Sequence, residues 1–331
     1  MKADGVFEGG GVKGIGFAGA LAVAEQRGVE WQNLAGTSAG AIVAALVAAG
    51  YGSAELHDVL SALDYRRFKD ASAVDRIPLA GPVISLVTQK GIYQGDYFHD
   101  WLEGLLAAKG IKTFGDLVIP DETEERYRFK LNVIASDISL GKLLVLPGDI
   151  RDYGGRPEDL NVADAVRMSM SIPFFYEPVK LKNLKTGHAS YIVDGGILSN
   201  YPVWLFDSES APSWPTIGFK LVEPDAGEPA NIKGPVSLLG ALFSAMMEAH
   251  DERYIEDHDF VRTVAIPTLG VRTTEFDISK ERSEALYESG RTAAEKFFRT
   301  WDFEQYVKLY RTGQGEPSRG AALRSAGHQA A

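Results

Sequence analysis

Between Gly40 and Gly50 the chain reads Ala41-Ile42-Val43-Ala44-Ala45-Leu46-Val47-Ala48-Ala49, a helix-forming run with no polar face. A helix that is apolar all round has to be covered on every side, so it belongs in the middle of a layered fold. Even counted from Ala39, the run is far too short to cross a bilayer, and glycines flank it.

What precedes this helix suggests chemistry. A short strand through Leu34-Ala35 meets Gly36-Thr37-Ser38-Ala39-Gly40, a G-x-S-x-G pentapeptide. In a nucleophile elbow the serine sits on a strained strand-to-helix turn, and small neighbours let the backbone bend that tightly. Ser38 would then stand at a helix N-terminus, where free N–H groups and the helix dipole favour a developing anion. The same letters also occur as a plain serine N-cap in a glycine-rich turn. The strand before and the buried helix after favour the elbow.

The chain opens with a similar rhythm. Val6-Phe7-Glu8 reads as a strand entering Gly9-Gly10-Gly11-Val12-Lys13-Gly14, and a helix follows to about Arg27, stopped by Gly28. Three successive glycines after a strand can turn their N–H groups into a concave donor site for an anion. One reading is an oxyanion hole made by Gly9, Gly10 and Gly11. The other is a dinucleotide-binding module, since Gly9, Gly11 and Gly14 satisfy G-x-G-x-x-G. A dinucleotide unit should end its second strand in an acid, whereas this strand ends in Gly36-Thr37-Ser38, and Glu30 lies before it. Lys13 reads either as an anion-binding charge or as a brace that holds the loop through nearby carbonyls.

A serine nucleophile needs a base. Of the histidines, His57, His99, His250 and His258 fall on acid-rich, helix-like stretches and His328 lies near the end of the chain. His188, in a polar loop, is the remaining candidate for a triad. Carboxylates at strand ends fit better, because the catalytic edge of a parallel sheet is where strand C-termini meet. Asp137 and Asp194 both follow apolar strands. Asp194 is favoured because Gly195-Gly196 clears space for its carboxylate to approach the serine, and Asp137 is expected to bind loop amides.

Elsewhere, helices are predicted over 53–63, 95–108, 161–170, 236–255 and 280–301. Strands are predicted over 127–135, 143–146, 191–193, 216–222 and 261–266. Alternating strands and helices imply an α/β fold with a mainly parallel sheet covered on both faces. No repeat or linker splits the chain, so 1–312 is expected to form one domain. Residues 313–331, small, polar and glycine-rich, read as a disordered tail.

Composition narrows the partners. Against 34 basic residues stand 45 acidic ones, a net charge of −11. That argues against nucleic acid and against docking on anionic lipid through a polybasic patch. Membrane contact would have to come from apolar side chains. With no cysteine there is no disulfide, thiolate or cysteine-based metal site. No signal peptide precedes the glycine loop, so the chain reads as soluble and cytoplasmic.

In this order and spacing, Gly9-Gly10-Gly11-Val12-Lys13-Gly14, Gly36-Thr37-Ser38-Ala39-Gly40 and Asp194-Gly195-Gly196 resemble the motifs of the patatin-like phospholipase family. Two longer blocks, 169–179 and 194–203, are similar to its serine-proline segment and its D-G-G/A-x-x-x-N-x-P stretch. The resemblance implies a three-layer α/β/α fold and a Ser38–Asp194 dyad without histidine. It also implies an oxyanion hole at Gly9, Gly10 and Gly11, supported by Lys13, Gly14, Gly36, Gly40, Gly195 and Gly196. It implies no cofactor and no metal. The expected substrate is a lipid or acyl ester, met in transient contact with a membrane surface. Glu8 stands where many members carry aspartate, and Lys13 where bacterial members commonly carry lysine. A catalytically silent protein of the same fold is the other reading. Residues 77–87, apolar but broken by proline and glycine, are a candidate cap or core segment. Residues 235–247 are a second apolar stretch, read as core.

Overall fold

All ten residues of the helix Ala39–Ala48 are buried, as a helix with no polar face requires. Around it, the computed structural model describes residues 1–68, 91–207, 212–224, 232, 241–242, 245–246, 261–273 and 275–310. The strands are β1 (Lys2–Phe7), β2 (Glu30–Thr37), β3 (Gly91–Tyr93), β4 (Leu131–Asp137), β5 (Lys142–Leu146), β6 (Phe174–Tyr176), β7 (Val179–Lys182), β8 (Ala189–Asp194), β9 (Thr216–Val222) and β10 (Thr263–Pro267). The helices are α1 (Ile15–Gln26), α2 (Ala39–Ala48), α3 (Ser53–Ser61), α4 (Asp96–Ala108), α5 (Val162–Ser169), α6 (Lys280–Thr300) and α7 (Phe303–Tyr310).

The central sheet is mainly parallel. β10 pairs with β9, β9 with β1, β1 with β2 and β2 with β4, all parallel. β1 is buried from Ala3 onward and β2 from Asn33 onward, as central strands covered on both faces must be. On one face Phe7 stacks on Phe219 and meets Phe17 of α1 edge-on. The helices close over this large core. On the other face Val6 and Ala35 are covered by Tyr201, Val203, Leu205 and Phe206, most of them in the 3-10 turn Val203–Phe206. The sheet thus lies between helical layers, as an α/β chain with two apolar sheet faces must arrange it.

The parallel pattern ends at β4. β5 returns antiparallel from β4, with Ile134 opposite Val145 and Ala135 opposite Leu144. Across its other edge, Ile134 pairs with Thr37 of β2 while Ala135 pairs with Asp194 of β8. β5 occupies one edge of both residues, so β2 and β8 must share the other. They run toward each other and stop end to end. β8 is antiparallel to β4, and Asp194 does not sit at a parallel-sheet edge as expected. It reaches the same level as Ser38 from the opposite direction.

Residues 77–87, most of 236–255, the tail 313–331 and His250, His258 and His328 lie outside the described residues. Within 235–247, Leu242 and Met246 are described and exposed, not core. Among the described residues no helix is long and apolar enough to cross a membrane.

α1 and α6 cross with their backbones in direct contact. A Cβ on Gly19 would overlap the Tyr287 carbonyl, and one on Gly290 would overlap the Gly16 carbonyl. Gly104, exposed in α4, has nothing within 4 Å of such a Cβ. Gly19→Ala should therefore destabilise the fold by about 1–3 kcal/mol through overpacking, despite alanine's better helix propensity. Gly104→Ala should stabilise it by about 0.5–1 kcal/mol. Urea unfolding of the two variants beside the parent chain checks both signs.

Candidate active site

Ser38 is the hinge between β2 and α2, and its backbone is strained. Its φ of 53° and ψ of −126° lie where a residue with a Cβ persists only if the surroundings hold it. The surroundings do. The Ser38 amide donates to Ser169 Oγ at 2.8 Å, and that hydroxyl in turn donates to the Ile134 carbonyl of β4 at 2.5 Å. The Ser38 carbonyl accepts from Ala41 at 2.9 Å, opening α2. Small neighbours are required: a Cβ on Gly36 would strike the Gly40 carbonyl, and one on Gly40 would strike the carbonyls of Phe7 and Glu8. Ser38 therefore sits at the positive end of a ten-residue buried helix, pressed against the end of β1.

Asp194 is buried and half-satisfied. Its Oδ1 accepts from the Gly196 amide at 2.8 Å, which caps the 3-10 turn Gly195–Ile197, while Oδ2 makes no hydrogen bond. Its own amide donates to the Ser171 carbonyl at 2.9 Å. Burial raises the carboxyl to about 7; the Gly196 amide and the nearby Ser38 hydroxyl pull it partly back. In this rotamer the serine oxygen rests on Met170 Sδ at 3.5 Å, leaving Oδ2 open. A Cβ on Gly195 would collide with the Ile134 carbonyl, so glycine lets the aspartate turn close onto β4.

The glycine loop lies beside the serine. A Cβ on Gly9 would come within 3.2 Å of Ser38 Cβ and would overlap Asn200 Oδ1. The Gly9 amide is taken by the Asn200 carbonyl at 3.1 Å. Among the described residues the amides of Gly10 and Gly11 have no acceptor, so the donors on offer are these two and not Gly9. The amide of Ala39, first in α2, is likewise without one. A Cβ on Gly10 would overlap Leu221, and Gly11 holds a φ of 58° against the Thr273 carbonyl. Gly14 is different: a Cβ there would make only ordinary contact with Ala39.

A model of the patatin-like phospholipase family matches residues 5–207, more than half of the chain. The chain belongs to the patatin-like phospholipase family. The uncharacterised protein YqhO of Bacillus subtilis (strain 168) is 42% identical over 305 residues, covering 92% of this chain and 100% of that one. Among solved structures, VipD from Legionella pneumophila matches at 19% identity with a TM-score of 0.55, over 99% of this chain and 74% of that chain. At that identity the likeness is one of fold.

Within this patatin-like frame, several residues take places that the motifs did not assign. Lys13 is buried and paired with Glu223 at 2.6 Å, so it braces the loop through an ion pair instead of carbonyls, and its charge is not free for an anion. Glu8 ties the end of β1 to β9, accepting from Lys220 Nζ at 2.8 Å and from the Leu221 amide at 2.5 Å. Asp137 binds the amides of Ser139 and Leu140 and the Tyr153 hydroxyl. His188 is exposed at the far end of β8, roughly 20 Å of extended chain from Asp194 at about 3.3 Å per residue. A triad through it is ruled out by that distance. His57 and His99 are engaged with surface acids. Among the described residues no cluster of three metal-ligating side chains occurs.

Ser169 and Asn200 carried a signal, since both lie in the longer family-like blocks. Their roles were hidden because each acts on backbone far away in sequence. Asn200 packs its side chain on Gly9, with Nδ2 at 3.4 Å from both Glu8 Oε1 and the Gly9 carbonyl.

The raised carboxyl has a consequence for stability. The folded-state value of about 7 exceeds the ordinary 3.8, so the native state holds this proton more tightly than the unfolded chain. The contribution is fully present below about pH 4 and is lost as pH rises toward 7. Asp194→Asn removes the titration. Its stability relative to the parent should therefore rise by about 2–3 kcal/mol between about pH 5 and about pH 8. Denaturant unfolding at both pH values measures the gap, and a constant gap would contradict a buried, proton-retaining Asp194.

Proposed function

We propose that the chain is a lipid acyl hydrolase in which Ser38 is the nucleophile and Asp194 its base. The observation that carries this reading is the junction on β4, where a strained serine at a helix N-terminus meets a buried carboxylate with one oxygen uncommitted. The reading gains support from family membership.

Rotation of Ser38 away from Met170 brings its hydroxyl onto Asp194 Oδ2. As the Ser38 oxygen bonds to the ester carbonyl carbon, its proton passes to the carboxylate. The carbonyl oxygen becomes an oxyanion, and the amides of Gly10 and Gly11, with Ala39 at the α2 N-terminus, are the donors available to it. Collapse breaks the bond to the alcohol, which leaves with the proton from Asp194. Water then gives a proton to the same carboxylate and attacks the acyl-serine. Fatty acid departs and Ser38 regains its proton. A carboxylate near 7 is a far better match to a serine hydroxyl than one near 4, and helix and amides favour the charge that develops.

Fatty-acid release from phospholipid and from a soluble chromogenic ester is the test. Ser38→Ala and Asp194→Asn should each lower kcat by at least about 10³-fold while folding is retained. A bulky residue at Gly10 or Gly11 should cost about 10²–10³-fold. Because the base works ionised, kcat/KM should be steady above a pH near 7 and fall about tenfold per unit below it. Turnover that survives Ser38→Ala would refute the assignment, and a rate flat from pH 5 to 8 would remove Asp194 from the role of base.

A further inference from the structure

The geometry points to an anionic membrane surface as the docking partner of the two hairpin tips that project beyond the β2–β8 junction. This inference rests on the lipid-hydrolase reading for its purpose, though not for its test. Leu184, Leu140 and Ile138, at 69%, 66% and 52%, are the three most exposed large apolar side chains among the described residues. All three are at these tips. Ile138 and Leu140 lie in the β4–β5 turn and Leu184 in the β7–β8 turn. The β4–β5 turn is tied to β8: the Ile138 amide donates to the Tyr191 carbonyl at 3.1 Å, and the Tyr191 amide donates to Ser139 Oγ at 2.8 Å.

Their direction follows from the register. Ser38 and Asp194 are level with Ala135. From that level β4 continues up to Ile138, and β8 can be followed back to Ala189, roughly 10 Å and 17 Å farther on at about 3.3 Å per residue. Both tips therefore extend past the candidate site in the direction in which β1, β2 and β4 point.

Charge selects the kind of surface. In β7, Val179 and Leu181 are half-buried while Lys180 and Lys182 are exposed, and Lys185 is exposed in the turn beyond. Among the described residues none of the three lysines pairs with a carboxylate; Lys185 Nζ donates to the Arg151 carbonyl and Lys180 lies over the Tyr191 ring. On a chain of net charge −11, this is a local cationic fringe around apolar tips. Such a pattern inserts apolar side chains at the headgroup boundary while long cationic chains reach anionic phosphates.

The test uses the full chain carrying Ser38→Ala, so binding is read without turnover. Co-sedimentation is measured with vesicles of phosphatidylcholine and with vesicles of phosphatidylcholine and phosphatidylglycerol in equal parts. The expected result is binding to the mixed vesicles, weak binding to phosphatidylcholine alone, and loss as salt rises. Replacing Lys180, Lys182 and Lys185 with glutamine should weaken binding by about 100-fold, each lysine contributing a factor of about five near an anionic leaflet. Leu140→Asp with Leu184→Asp should also abolish it. Equal binding to both vesicle types, no binding, or variants that bind like the parent would overturn the proposal. So would a leucine variant that changes only self-association, because the tips would then meet a second copy. Turnover of the soluble ester by the wild-type chain reads the hydrolase assignment separately.

Discussion

Two strands that run toward each other along one edge of a third must both stop where they meet, and the residues at that stop are forced together. In this chain β2 ends at Thr37 opposite Ile134, and β8 ends at Asp194 opposite Ala135. Everything at the candidate site is arranged around that collision. α2 carries the chain away from β2, so Ser38 has to turn sharply and takes a φ of 53°. The 3-10 turn Gly195–Ile197 carries the chain away from β8, and the amide of Gly196 becomes the partner of Asp194 Oδ1. Ser169 spans the gap, bonded to the Ser38 amide and to the Ile134 carbonyl. One hydroxyl thus ties the elbow to the strand on which both ends meet.

Such an arrangement is costly, and the cost shows where the chemistry is proposed. A non-glycine residue at positive φ is strained, and a carboxylate with an unsatisfied buried oxygen is destabilised when ionised. The rest of the fold offsets both. α2 contributes ten buried residues without a polar atom in any side chain, and Phe7, Phe17 and Phe219 pack beneath the glycine loop's strand. A single buried carboxylate with its basicity raised by desolvation can also do without histidine. Imidazole lends a serine a base near neutrality; burial brings a carboxyl to about 7 by another route.

Much of this was legible in the sequence because local rules govern it. An all-apolar helix has to be buried, glycines mark turns that nothing larger fits, and β9 was read over the residues it occupies. Asp194 could be singled out from the glycines after it. The direction of β8 was not legible, since a strand's two-residue period is the same read from either end and only pairing partners set its sense. Lys13 shows a second limit. Its neighbours in sequence are glycines and carbonyls, while its partner Glu223 is brought in by β9 from far along the chain. Ser169 and Asn200 were invisible as positioning groups for the same reason: what they hold is a backbone amide or carbonyl that no pattern advertises.

Net charge is a whole-chain quantity and says little about where charges sit. The excess of acids led to the expectation that lipid contact, if made, would be purely apolar. Acids and bases are not spread evenly. β7 is an edge strand, and lysines on an edge hinder pairing with other sheets. That role alone accounts for Lys180 and Lys182 on the strand, but not for Lys185 or for three exposed aliphatic side chains on two turns at the same end of the sheet. Exposed leucines at a tip are a liability in water. They persist most readily where a surface covers them, and here the surface would lie along the axis on which β2 delivers its serine.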